Sequence, residues 1–496
     1  MVKDELKSAQ KKVGKENKSF FIASFPNLID LVEDEGGELK FLIYDPTSKK
    51  PFVATDIEIE ERKYVPPPRS SLPQNMVFVK EEKVLHEIHE ISVIGYVEAN
   101  SISKNDNLVT NGDVVDDIEM VSMYSISLYE EIVSYLKERA ELPNEDLYDL
   151  LTLWIFHTYA MERADFSPII YFLGLPEKGK SRMLKSLVNI ARRGLRKISL
   201  TDAQILRDCT HLDATLALDM MSLWTKIEKA GSEDVFLNRP EKGITVSRVN
   251  RPERGAFQDT DYYTVFGPTI FATNELIHEI LDTRAIPIVM RQAKKQFVIK
   301  VKPEDGLAIK TKLTAWRAAT MGQDWPEVRR IANSRLGDIT QPLYQIVKMV
   351  HPAREESFIK SIKEIEKRRI REKADSGNGQ IIRSLLSCNQ MVEGGHLKTV
   401  TISNEFNKDK SEKEKLSSRR ILNRLKTMGF ETAIVHGGNA AVFWNTELID
   451  SLKVEFGISG DDIDGTFVTI PQRSISSPNV TESPMETFYV EQAEKE

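Results

Sequence analysis

Eight consecutive residues, Gly174-Leu175-Pro176-Glu177-Lys178-Gly179-Lys180-Ser181, carry glycine, lysine and a hydroxyl at the spacing G-x-x-x-x-G-K-[ST]. That is the spacing of a loop that cradles phosphate. Glycines let backbone N–H groups close around an anion, and the N-terminus of the following helix adds its positive end. Lys180 would place a point charge on β/γ oxygens and Ser181 would hold Mg²⁺. Gly174 through Ser181, with Arg182 next in the chain, therefore form the expected contact set for a nucleotide, with ATP and Mg²⁺ as the expected cofactors.

Such a loop needs a buried strand before it and a helix after it. Pro168-Ile169-Ile170-Tyr171-Phe172-Leu173 is apolar, β-branched and aromatic, as expected for a strand buried on both faces of a parallel sheet. Met183, Leu184, Leu187, Val188 and Ile190 then recur near helical spacing up to Arg192-Arg193-Gly194, which predicts the helix and its end. A glycine-containing surface turn would not need these flanks. A magnesium site also needs a carboxylate at the end of a neighbouring strand. Thr215-Leu216-Ala217-Leu218-Asp219 supplies Asp219, although an aspartate can also merely end a strand. Met220 and Met221 follow, and methionine cannot act as a base. Either a carboxylate from elsewhere, such as Glu228 or Glu233, activates water, or hydrolysis is slow and the domain works as a switch.

A third apolar run, Thr264-Val265-Phe266-Gly267-Pro268-Thr269-Ile270-Phe271-Ala272-Thr273-Asn274, ends on an amide. With it the chain resembles the AAA+ ATPases, and within them the superfamily 3 helicases and the helicase-like ATPase halves of phage and plasmid primase-helicases. The resemblance spans roughly residues 145–350. It implies an α/β fold with a P-loop parallel sheet and helical flanks. It also implies that Asn274 is sensor 1, placing the attacking water, and that Arg284 in Leu281-Asp282-Thr283-Arg284-Ala285-Ile286-Pro287-Ile288 is a finger reaching a neighbouring subunit's γ-phosphate. Catalysis would then fall to Lys180, Asp219, Asn274 and Arg284, in a homo-oligomer of two subunits or more, with a hexameric ring among the options. A surface salt bridge is the competing role for Arg284, and Arg335 is a candidate second sensor. Gly243 to Gly255 reads as a strand and turn returning through Tyr262, Tyr263 and Val265, in the position of a pore hairpin that grips DNA backbone. Arg248, Arg251 and Arg254 would do so through guanidinium–phosphate bonds; a solvated edge hairpin protected by charge is the alternative.

Toward the C-terminus, helices are expected from Gln380 to Cys388, from Ile402 and from Ser417 to Met428, with Ile421, Leu425 and Met428 on a buried face of the last. Arg420, Asn423 and Arg424 share another, exposed face. Phe430 to Trp444 reads as strand, Gly437-Gly438-Asn439 turn and strand, so the region resembles a winged helix-turn-helix, a module that binds DNA or docks proteins. Lys360 to Lys373 reads as a solvated charged helix.

Residues 1–125 show short strand-like runs, such as Leu39 to Tyr44 and Ile91 to Val97, and suggest a β-rich module crossed by a stiff connector from Pro66 to Pro73. Residues 126–350 would hold the ATPase, 351–456 a helical linker and the winged helix, and 457–496 an acidic, disordered tail. The 496 residues are 41% hydrophobic and 29% charged, which is globular composition. The two cysteines, Cys209 and Cys388, suggest neither zinc nor a disulfide framework. With no apolar leader and no membrane-length apolar run, a cytoplasmic protein is expected. A net charge of −7 argues against a chain that coats nucleic acid over its whole surface. No primase or nuclease constellation stands out. The resemblance implies an ATP-dependent, DNA-associated motor or loader in mobile-element replication. A nucleotide-gated DNA-binding or assembly protein with little turnover is the second option, and a partner-binding ATPase without nucleic acid the third.

Overall fold

A computed structural model describes residues 19–92, 117–435 and 438–458, with backbone only for 117–122 and 279. The expected acidic tail beyond residue 458, the first 18 residues and Gly437 of the expected turn lie outside the described residues. The chain divides into two compact units, one ending at Glu366 and one starting at Lys367.

The first unit opens with strands β1 (Phe20–Phe21), β2 (Leu28–Glu33), β3 (Leu39–Asp45), β4 (Lys50–Ala54), β5 (Ile57–Ile59), β6 (Arg62–Val65) and β7 (Val79–Lys80). They form one sheet ordered β4-β3-β2-β7 and another ordered β1-β6-β5. Ile91 and Ser92, expected in a strand, instead lie in a helix, α1, described over 81–92. Val84, Ile88 and Ile91 are spaced i, i+4, i+7, so a helix puts all three on one face, where Val84 and Ile91 are buried and Ile88 half-buried. The rest of that expected strand, from residue 93, lies outside the described residues.

Next come α2 (Asp117–Lys137), α3 (Asp146–Thr158), β8 (Ile169–Leu173), α4 (Lys180–Ile190), β9 (Gly194–Lys197), α5 (Asp202–Leu212) and β10 (Thr215–Asp219). They are followed by α6 (Leu223–Ala230), α7 (Glu233–Asn238), β11 (Thr245–Val249), β12 (Thr260–Thr264), β13 (Thr269–Thr273), α8 (Glu279–Asp282), β14 (Ala285–Val289), α9 (Leu307–Thr320), α10 (Ser334–Val350) and α11 (Glu355–Asp375). Five strands make a parallel sheet ordered β14-β8-β13-β10-β9. Successive side chains point to opposite faces, and both faces are covered. Ile170 and Phe172 enter the core with α2, α3, α9 and α10, while Ile169 and Tyr171 meet β2, β3 and α5 to α7.

The run Thr264 to Asn274, expected as one strand, splits in two. Pro268 has no N–H, and Gly267 sits at φ 152° with the Arg239 guanidinium so close that a Cβ would lie 2.9 Å from it. Pro287 is accommodated because β14 is the edge strand. Among the described residues no helix is long and apolar enough to cross a membrane.

In the second unit α12 (Gly377–Ser387), β15 (His396–Lys398), α13 (Thr399–Asn407), α14 (Ser418–Thr427), β16 (Thr432–Val435), β17 (Asn439–Phe443) and α15 (Thr446–Phe456) surround one apolar core. Its sheet is antiparallel in the order β15-β17-β16. The Ser417 hydroxyl accepts from the Arg420 N–H and caps α14, and Gly429 at φ 94° ends the turn that follows it.

Buried arginines bind the N-terminal strands to the parallel sheet. Arg193 donates to Asp30 of β2 at 2.7 Å and to the carbonyls of Ala23 and Leu212 at 2.5 and 3.0 Å. Arg317 of α9 donates to the carbonyls of Ile29 and Leu28 at 2.8 and 2.9 Å, to the Tyr159 carbonyl and to the Glu162 carboxylate. Arg193 and Arg192 together hold the Asp30 carboxyl below its usual range against the opposing effect of burial.

Removing one partner of such a pair leaves a buried charge uncompensated. Arg193→Met should lower unfolding free energy by about 3 kcal/mol, measured by urea denaturation. The N-terminal strands and the parallel sheet should also lose structure in a single transition; two separated transitions would mark an independent N-terminal domain. His157 is fully buried against the Ser167 hydroxyl at 2.8 Å, and burial lowers its pKa to about 4. The unfolded state binds that proton first, so stability should fall by up to about 1.4 kcal/mol per pH unit between about pH 6.5 and 4. His157→Gln should flatten that part of the stability profile.

Candidate nucleotide site

The loop after β8 carries its backbone in conformations that glycine permits. Gly174 sits at φ 153°, where a Cβ would come 2.9 Å from the Met290 carbonyl, and Gly179 sits at φ 81°. Glu177 takes a left-handed φ of 65°. The Lys180 ammonium folds onto the carbonyls of Gly174 and Leu175 at 2.6 and 2.5 Å. Burial pulls its pKa below the ordinary lysine value, only partly offset by Asp219. Lys178 donates to Gln292 at 2.6 Å, and Arg182 binds the carbonyls of Arg139 and Ile299 while stacking over Phe297. Residues 291–301 thus lie along the outside of the loop and the first turn of α4.

Parallel register brings the other expected groups to the same edge of the sheet. Phe172, Ala272 and Asp219 are successive cross-strand partners on β8, β13 and β10. The Ser181 hydroxyl donates to Asp219 Oδ1 at 2.7 Å. Arg196, on β9, donates to Asp219 Oδ2 at the same distance. Sequence reasoning missed Arg196, because no motif ties a polar edge strand to that carboxylate.

Pro176 to Arg182, Asp219, Met220, Met221 and Asn274 line one cavity of about 690 Å³, with Lys185, Lys300 and Val301. Gly174 and Leu175 form the base of the loop and are not in its wall. The residues suit a magnesium-bound nucleotide: two positive-φ glycines, an ammonium, and a hydroxyl already paired with a carboxylate. Among the lining residues the only carboxylates are Glu177 and Asp219. Glu228 on α6 and Glu233 on α7 do not line the cavity, so neither is positioned to activate water there. Met220 is buried in the apolar core and its N–H donates to the Ala272 carbonyl at 3.3 Å.

Arg284 lies at the other end of the sheet. Its carbonyl accepts from Ile169 N–H at the start of β8, so the five residues of β8, roughly 17 Å at about 3.3 Å each, separate it from the loop. Its guanidinium donates to the Ile280 carbonyl. Burial, then repulsion from Arg335, lowers its pKa, and Arg335 itself donates to Glu241 at 3.0 Å. Both arginines are therefore beyond reach of this chain's own cavity.

In the β11–β12 hairpin, Arg248 is engaged by two carboxylates, Asp202 and Asp234, at 2.7 to 3.0 Å. It braces the hairpin against α5 and α7, whereas the sequence pattern predicts a contact for phosphate. Arg251 lies 3.6 Å from Asp261, and Arg254 is exposed. Phe257 between them and β12 is 99% exposed. An aromatic inside an arginine- and glycine-rich turn was a legible signal that the charge pattern overshadowed. In the second unit Arg420, Asn423 and Arg424 are exposed on α14, opposite buried Ile421 and Leu425; Met428 is half-buried.

No protein-family profile and no curated protein sequence matches the chain. Among solved structures it is similar to the apo A form of the NrS-1 C-terminal region, at 13% identity over 81% of this chain and 83% of that one, TM-score 0.32. It is also similar to SCCmec type IV Cch, an active helicase, at 10% identity over 70% and 72%, TM-score 0.28. A third is inhibitor-bound JCV helicase, at 10% identity over 62% and 71%, TM-score 0.23. The chemistry assigned to the site rests on its own residues.

Asp219→Asn keeps an acceptor for Ser181 but removes the charge. It should abolish the gain in fluorescent-ATP affinity that Mg²⁺ gives over EDTA while leaving the fold intact. A variant that retains the native magnesium dependence would mean that Asp219 only ends its strand.

Proposed function

We propose that this chain is an ATP-dependent, DNA-associated ATPase of helicase-like type, acting as a motor or loader in DNA replication. The observation that carries the proposal is the convergence of Lys180, Ser181, Asp219 and Asn274 on one cavity at one edge of a parallel sheet. A Mg²⁺ ion held by Ser181 and Asp219 would neutralise charge on the β- and γ-phosphates. In this reading Lys180 leaves its loop carbonyls for the phosphates, where its three donors meet stronger acceptors. Loop N–H groups and the α4 N-terminus bind the same oxygens. Asn274, at the end of the strand between β8 and β10, orients water toward the γ-phosphate by hydrogen bonding. Arg284 and Arg335 serve the cavity of an adjacent subunit, which their distance from their own cavity favours. The proposed assembly is therefore a homo-oligomer with shared sites.

The proposed DNA contacts are Arg251, Arg254 and Phe257 at the hairpin tip, where guanidinium groups suit backbone phosphates and an exposed ring suits base stacking. Arg420, Asn423 and Arg424 are proposed to form a second contact on α14, in a unit we read as a winged helix. The N-terminal strands are read as a module built onto the ATPase core. Met220 and the lack of a second well-placed carboxylate in the cavity wall favour one alternative, a nucleotide-gated switch that binds DNA and turns over slowly.

Steady-state ATP hydrolysis with and without single-stranded DNA separates the two. A motor should show turnover that rises with DNA and vanishes in Lys180→Ala. ATP binding without hydrolysis above that variant, under any DNA condition, selects the switch. Phe257→Ala should weaken single-stranded DNA binding by about tenfold or more, the effect of losing a stacked base, and should leave ATP affinity intact. Unchanged DNA affinity would reject the tip as the contact.

A further inference from the structure

A second hollow, of about 420 Å³, adjoins the nucleotide cavity, and the two share Lys185 and Val301 in their walls. Three cations line it, Lys185 on α4, Arg196 on β9 and Lys310 on α9, and no lining residue is a carboxylate. Lys310 is 3% exposed, and its one hydrogen bond among the described residues goes to the Ala191 carbonyl at 3.0 Å. Two of its three N–H donors remain. Its charged neighbours are one anion, Asp30, and two further cations, Arg193 and Arg192. Burial and that excess of positive charge hold the Lys310 ammonium down to about 8.

Asn75 is incompletely used in the same way: it places one amide N–H on the Arg196 carbonyl at 2.8 Å, which leaves its second N–H. Asn189 is held in the wall by the Lys302 carbonyl at 2.9 Å and by the Tyr135 side chain. Arg196 stands in the partition between the hollows, with Asp219 as its counter-ion. Any cation that draws on the Asp219 carboxylate leaves Arg196 short of negative charge. A cluster of one buried and two half-buried cations is stabilised by an anion that several N–H groups reach at once.

We propose that this hollow is an oxyanion site that accepts orthophosphate, the product that hydrolysis in the adjoining cavity would release, and holds it on Lys185, Arg196 and Lys310 before it departs. The choice of product rests on the hydrolytic reading of that cavity; the anion site itself rests on the three cations. Orthophosphate fits the volume and matches its charge, and Lys185 and Val301 border both hollows.

The test uses the full chain and inorganic phosphate as the probe, followed by ³¹P NMR line broadening. The native chain should bind phosphate, and Lys180→Ala should retain the phosphate held on this hollow while losing any that the loop binds. Lys185→Gln and Lys310→Met should each weaken binding about tenfold, the effect of losing one charge-assisted hydrogen bond. Sulfate should compete and a short single-stranded oligonucleotide should not. If Lys180→Ala abolishes binding and Lys185→Gln leaves it unchanged, the phosphate sits on the loop and the proposal fails. Displacement by the oligonucleotide also overturns it, in favour of a nucleic-acid backbone contact. Lys310→Met removes a buried charge, so its thermal unfolding is measured alongside; should it not fold, Lys185→Gln on the half-buried face of α4 decides the matter. A chain that binds phosphate but never hydrolyses ATP would refute the catalytic reading alone. A chain that hydrolyses ATP and binds no phosphate would refute this site alone.

Discussion

Parallel pairing of β8, β13 and β10 is the constraint from which the cavity follows. In a parallel sheet every strand runs out at the same edge, so the groups that follow or end these strands meet there whatever lies between them in sequence. Ile169 to Leu173 must be apolar because both of its faces are covered, and that same burial fixes where Gly174 begins its turn. A slip of one residue between β10 and β13 would turn Asp219 away from Ser181 and expose Leu218 in its place. Core packing and site geometry are thus one requirement, and the apolar strands enforce both.

The second constraint is electrostatic. Arg192, Arg193, Arg239, Lys310 and Arg317 are all buried in the first unit. Arg239 resolves its position by donating to Thr269 and to the carbonyls of Val265, Ala214 and Pro268, a set of neutral acceptors that closes the Gly267 break. Arg193 uses the Ala23 carbonyl between β1 and β2, and Arg317 the Leu28 and Ile29 carbonyls of β2, in the same manner. Those strands are therefore structural ligands of the parallel sheet, which is why the first compact unit includes them. Asn75 extends the connection to the strand that carries Arg196.

What could be read in the sequence was whatever chemistry or burial restricts locally. Loop spacing, apolar strands before polar ends, and the amphipathic faces of α4 and α14 all express constraints between residues close in the chain. Arg196 and Asp219 are different: their pairing depends on two strands being neighbours, and Gly-Leu-Arg-Lys of β9 has too little apolar content to announce a strand. The helix end expected at Arg192 to Gly194 falls earlier, after Ile190, because Arg193 adopts φ 46° to turn into β9. Arg193 and Asp30 are separated by 163 positions, and no periodicity spans such a gap. Residues 81–92 show the opposite failure, since the apolar run from Ile91 looked extended when viewed without the residues before it. Arg248 looked like a contact for phosphate because its carboxylate partners sit on α5 and α7, elements that the hairpin's own sequence does not mention.

Those partners alter the mechanics of the hairpin. A two-stranded ribbon anchored only by its ends would bend under a load at Phe257 and absorb it. Four hydrogen bonds from one guanidinium to Asp202 and Asp234 clamp the ribbon beside its turn, one residue before β11 ends. Torque at the tip is consequently delivered to α5, the helix just before β10 in the chain, and to α7, the second helix after it, and the same rigid arm would carry a displacement of β10 outward to the tip.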